Sequence, residues 1–173
     1  DLIAGGWDGR IRMWDSQGEH IWTIESGDRV SDFTRQGDYL FATCGLRIMA
    51  FSYADGKQLW SHALEGSADA LTAHKGQVMA VSSVYDIEYN DFLESAVWCY
   101  SHSGELQWVS RMPERPWTIF SSKDELVIGL GRPQCGLALL DDNGEIEYKE
   151  LATQSPVMCG VNGKKKQLFG HAD

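Results

Sequence analysis

Leu46-Arg47-Ile48-Met49-Ala50-Phe51-Ser52-Tyr53-Ala54-Asp55-Gly56-Lys57-Gln58-Leu59-Trp60 reads as an apolar strand, a polar turn closed by glycine, and a second strand. A tryptophan follows the glycine at an offset of four. The same pattern recurs in Gly9–Trp22, Ala96–Trp108 and Gly136–Tyr148. Its glycines, Gly18, Gly56, Gly104 and Gly144, are spaced by 38, 48 and 40 residues, and Trp22, Trp60, Trp108 and Tyr148 keep the same steps. A polar residue before glycine permits positive φ and a tight reversal. The fixed offset holds the aromatic on one face of the outgoing strand, because side chains alternate with period two.

Two further apolar strands fill each period. One set is Leu2–Gly6, Tyr39–Thr43, Gln77–Val81 and Glu125–Gly129; the other is Arg29–Phe33, Ala68–Thr72, Pro116–Phe120 and Pro156–Gly160. Four strands per period of about 40 residues describe the blade of a β-propeller. The strands are named a to d from axis to rim, and the aromatics at the fixed offset are expected to wedge between neighbouring blades. No segment carries a helical period, so the fold class is all-β, with about four four-stranded antiparallel blades. The units run about 1–36, 37–76, 77–124 and 125–164, with the start of a further blade at 165–173. The extra strand suggests a segment of a longer ring of six to eight blades; the alternative is two copies sharing one ring.

Composition narrows the function. The 173 residues are 43% hydrophobic and 23% charged, with 18 Gly, seven Trp and four Pro, as suits short strands and tight turns. A net charge of −10 repels phosphate, so nucleic acid is not an expected partner. The one basic run, Lys164-Lys165-Lys166, reads as a solvated turn. No apolar run reaches the ~18 residues of a membrane span. The cysteines at 44, 99, 135 and 159 are too far apart for a zinc or redox motif. Three of the four read as small buried side chains, which slightly favours a reducing, cytoplasmic setting. The five histidines lack metal-like spacing and read as structural or solvated.

At its hairpins the chain resembles the repeats of pyrroloquinoline-quinone-like propellers. Gly6-Trp7-Asp8-Gly9-Arg10-Ile11-Arg12-Met13-Trp14-Asp15 also resembles a WD repeat, although Gly27-Asp28 stands where that family has Gly-His. The quinoprotein resemblance implies a quinone over the channel, a vicinal disulfide, a calcium site and a catalytic Asp. The chain has no vicinal cysteines and no run resembling the calcium ligands, so no cofactor is expected.

One unit departs from the repeat. Between strands b and c of the third blade the chain gains about ten residues, Tyr85–Glu94, rich in acids and aromatics and free of Lys and Arg. In a propeller this b–c loop shares a face with the d–a loop Pro113–Trp117 and the b–c loop Arg132-Pro133-Gln134. Aromatics and arginines on loops are the makings of a binding surface. The candidate residues are Tyr85, Tyr89, Phe92, Arg115, Trp117 and Arg132. The leading expectation is a non-catalytic scaffold binding a protein or small ligand. Its rivals are an enzyme using channel residues such as Asp32, Asp69 and Trp117, and an assembly or sensor module of the cell envelope.

Overall fold

The computed structural model describes residues 1–122, 125–132, 135–152, 154–162 and 167–172. The Lys164–Lys166 run lies outside them. The elements are β1 (Leu2–Gly5), β2 (Arg10–Trp14), β3 (His20–Glu25), β4 (Val30–Gln36), β5 (Tyr39–Cys44), β6 (Arg47–Ser52), β7 (Gln58–Ala63), β8 (Ser67–His74) and β9 (Gln77–Asp86). There follow β10 (Asp91–Ser101), β11 (Leu106–Met112), β12 (Pro116–Ser122), β13 (Glu125–Leu130), β14 (Leu137–Leu140), β15 (Ile146–Lys149), β16 (Val157–Asn162) and β17 (Gln167–His171). No helix occurs among the described residues, and so none is long and apolar enough to cross a membrane.

Antiparallel meanders build five sheets in chain order. Three have four strands: β4-β5-β6-β7, β8-β9-β10-β11 and β12-β13-β14-β15. They are flanked by the sheets β1-β2-β3 and β16-β17. The inner strands β4, β8, β12 and β16 are consecutive neighbours. This is the blade arrangement of a β-propeller. Every sheet after the first begins at its inner strand, so the sheets are offset by one strand from the sequence units, which begin at strand b.

Period-two alternation decides which neighbour each side chain meets. On β5, Leu40 and Ala42 join Met13 and Ile24 of the preceding sheet, whereas Phe41 joins Leu71 and Val78 of the following one. On β9, Val78 and Ala80 face back while Met79 and Val81 face Ile128 and Leu126. Each sheet is therefore apolar on both sides, and the core lies between sheets. Cys44, Cys99 and Cys135 are buried free thiols and Cys159 is an exposed one; burial pushes the Cys99 thiol up to about 12.

The aromatic repeat has a specific job. Trp22 Nε1 donates to the Tyr53 carbonyl (3.1 Å), Trp60 Nε1 to His102 (2.8 Å) and Trp108 Nε1 to Asp142 (3.1 Å). Each acceptor is the second residue of the hairpin turn in the next sheet. The indole also covers that turn's glycine. A Cβ would stand 3.2 Å from Trp22 Cδ2 at Gly56, 2.8 Å from Trp60 Cγ at Gly104 and 2.6 Å from Trp108 Cε3 at Gly144. The glycines have φ of +70°, +90° and +83°, so conformation and space both call for glycine. Two residues beyond the indole, His62 Nε2 and Ser110 Oγ reach the carbonyls of Gly104 and Gly144. Tyr148 keeps the register, but no described turn covers it and the residue is 47% exposed. Burial and the adjacent Glu114 carboxylate push its phenol up to about 12.

The b–c insertion is not the long loop the sequence suggests. β9 runs on to Asp86 and β10 starts at Asp91, pairing Tyr85 with Phe92 and Asp86 with Asp91. Cross-strand aromatic pairing favours a ladder over a loop. Asp86 closes the short turn by accepting the amides of Glu88 (2.7 Å) and Tyr89 (3.2 Å), and Asn90 takes the left-handed φ of 52°. The result is a twisted ribbon projecting from the blade.

Gly18 tests the indole contact, because it has the same turn position, φ +85°, and nothing within 4 Å. Gly18→Ala pays only for left-handed backbone, about 1–2 kcal/mol. Gly104→Ala adds a clash with Trp60, another ~1–3 kcal/mol. Urea unfolding of the two variants is expected to rank Gly104→Ala the less stable; equal losses would contradict the contact.

Candidate functional site

At the ribbon's tip Ile87 and Tyr89 are 86% and 72% exposed. Tyr85 meets Phe92 edge-on, with centroids 5.1 Å apart, and its hydroxyl donates to Asn90 Oδ1 at 2.5 Å. The pair stiffens the ribbon and turns the other side of Phe92 toward the next sheet.

The inner strands supply the second part. The pairing registers of β4, β8, β12 and β16 each skip one residue near the start, at Ser31, Asp69, Trp117 and Met158. An extra residue on one strand re-aims its side chain. Asp69 and Trp117 are such residues in adjacent sheets, and Arg115 joins them. Its Cζ lies 3.7 Å from the Trp117 ring centroid and 3.8 Å from that of Phe92. The guanidinium is thus clamped between two rings, a geometry the ring quadrupoles favour. Arg115 Nη2 is 3.7 Å from Asp69 Oδ2, an ion pair longer than a hydrogen bond. Arg115 Nε and Asp69 Oδ2 are buried without a hydrogen-bond partner. Burial lowers the Arg115 pKa from its ordinary value, opposed by Asp69. On its other oxygen Asp69 accepts from Ser67 Oγ (3.0 Å), which accepts from Arg29 Nη2 (2.7 Å).

Beside the clamp opens a cleft of about 240 Å³, lined by Asp91, Phe92, Pro113, Arg115, Trp117, Arg132 and Pro156. Four of the six sequence candidates, Phe92, Arg115, Trp117 and Arg132, therefore meet in one place. Tyr85 stands behind Phe92, and Tyr89 stands off at the tip. Pro133 and Gln134 lie outside the described residues. Asp69, which the sequence points to the channel, faces Arg115 instead. Asp32 does not join it: its carboxylate accepts the amides of Phe33 (2.8 Å) and Leu71 (3.1 Å), strapping β4 to β8, and burial raises its pKa. Among the described residues no group of three or more His, Cys, Asp and Glu could hold a metal ion.

Sequence reasoning missed Trp7 and Leu46. They are 86% and 57% exposed in the turns between the second and third strands of the first two blades. Those turns correspond to the ribbon tip of the third blade. Their shared place in the repeat was the signal available.

The clamp yields a direct prediction. Arg115→Lys keeps the charge and loses the plane that stacks on two rings, costing about 1–2 kcal/mol by chemical denaturation. Trp117 emission is expected to shift as the ring loses its cover; unchanged stability and emission would refute the clamp.

Comparison with known proteins agrees with this architecture. Residues 7–146 match the family described as outer membrane protein assembly factor BamB, a family of PQQ-type repeats, and the chain belongs to it. No curated protein matches the chain. Among solved structures it is similar to BBS1N in complex with ARL6DN, with a TM-score of 0.74 at 14% identity, over 98% of this chain and 56% of that one. It is similar to a chain of the mitotic checkpoint complex, with a TM-score of 0.81 at 10% identity, over 98% and 57%. It is similar also to the quinohemoprotein alcohol dehydrogenase ADHIIG of Pseudomonas putida HK5, with a TM-score of 0.71 at 12% identity, over 96% and 36%. At these identities the likeness is one of fold. The chain spans little more than half the length of the first two.

Proposed function

We propose that this family member is a non-catalytic propeller scaffold that binds a protein partner through the face bearing the β9–β10 ribbon, in an assembly role of the kind its family description names. One observation carries the reading: Ile87 and Tyr89 are held out in solvent by a ribbon braced, two residue pairs from its tip, against an arginine packed on two rings. An apolar tip on a stiff support costs little ordering entropy when it docks. Trp7 and Leu46, in the equivalent turns, extend the exposed apolar surface across three blades. A channel enzyme has less support, because Asp32 is engaged by two amides while Asp69 and Trp117 turn to Arg115.

The test replaces Ile87 and Tyr89 together with Ser. Both are exposed, so the melting temperature is expected to stay within about 2 °C. Partner recovered from cell-envelope extract is expected to fall at least roughly tenfold. A photo-crosslinking residue at Tyr89 should capture the same partner, while one at Leu106, exposed on a strand of the hairpin away from this face, should not. Equal recovery by wild type and variant would overturn the reading.

A further inference from the structure

We infer that the cleft beside Arg115 is a carboxylate-recognition site, which takes an Asp or Glu side chain of the polypeptide that binds this face. The inference rests on the proposed binding face and names the chemistry at its centre. Four observations carry it. Trp117 and Phe92 both pack their rings against the Arg115 guanidinium, 3.7 and 3.8 Å from Cζ, and neither ring offers its N–H donors a lone-pair acceptor. Its acidic neighbour, Asp69, stands at 3.7 Å, and Arg115 Nε has no acceptor. Arg132 reaches the same cleft from the following blade, and it forms no ion pair with any described residue. The walls are rings and prolines, so a charge-assisted hydrogen bond forms there in poorly solvating surroundings.

Size and charge select the ligand. The cleft holds about 240 Å³, below the ~300–1,000 Å³ usual for cofactor and small-molecule pockets. It suits one side chain with its methylene stem. A planar carboxylate matches the fork of a guanidinium held flat. A phosphate dianion meets more opposition: Asp69 lies against Arg115, and Asp91 stands at the rim with its Oδ1 on the Phe92 amide at 2.8 Å. Two arginines against two carboxylates leave the cleft near neutral, so a singly charged ligand is opposed less than a doubly charged one.

The experiment follows the side-chain NεH resonance of Arg115, assigned by its absence in Arg115→Lys. The probes are an acetylated, amidated peptide Gly-Phe-Glu-Phe-Gly, its Gln counterpart, that counterpart with a free C-terminus, and inorganic phosphate. The Glu peptide should shift the resonance saturably, and the Gln peptide should not. Arg132→Gln should weaken the Glu peptide at least roughly tenfold. Equal binding of the Gln peptide, an equal response to phosphate, preference for the free C-terminus, or no saturation with the Glu peptide would each overturn the inference. The two readings fail separately. If the Ile87→Ser/Tyr89→Ser protein loses the partner while Arg132→Gln retains it, the face stands and the carboxylate site falls. If neither protein loses it, the binding face itself falls.

Discussion

An indole laid over a turn glycine joins each of the first three sheets to the next. Trp22, Trp60 and Trp108 each do two things: the ring fills the space above a glycine that has no Cβ, and the Nε1 donor satisfies a turn carbonyl. The first contributes buried area, with ~150–250 Å² available from such a ring. The second sets its orientation. A blade is apolar on both sides and has no stable existence alone, so repetition of this contact is what turns hairpins into a propeller. The inner strands β4, β8 and β12 are placed by the same stacking.

That placement brings the site together. The skipped residues Asp69 and Trp117 sit at equivalent positions of adjacent sheets. They become partners of Arg115 because the sheets are held at a fixed angle and spacing. The ribbon adds Phe92 from above. Arg115, in the turn before β12, thus draws on three segments: the start of β12 with Trp117, the inner strand β8 with Asp69 and the extended β9–β10 hairpin with Phe92. A small rotation of one blade would separate the guanidinium from a ring or from Asp69.

The parts legible in the sequence are those encoded locally. A glycine and an aromatic four residues apart announce a hairpin with one packed face, and four repeats announce stacked sheets. The extra length before Ala96 was also visible, yet its conformation was not, because the pairing of Tyr85 with Phe92 is a cross-strand matter that a linear reading takes for a loop. Arg115 and Asp69 are 46 residues apart, and only the skipped residue on each inner strand turns them together. Trp7 and Leu46 carry no local mark that sets them apart from other apolar residues; their exposure follows from lying in turns on one face. Tyr148 shows the opposite limit, since its register is legible while its cover depends on a turn that no described residue supplies.

Hydrogen exchange at the indole nitrogens tests the central contact most directly. Trp7, 86% exposed, serves as the internal reference. The Nε1 protons of Trp22, Trp60 and Trp108 are expected to exchange at least about a hundredfold more slowly than that of Trp7, because each is released only when neighbouring blades part. Exchange of all three within about twofold of Trp7 would contradict the account, for the sheets would then be joined by something other than these rings.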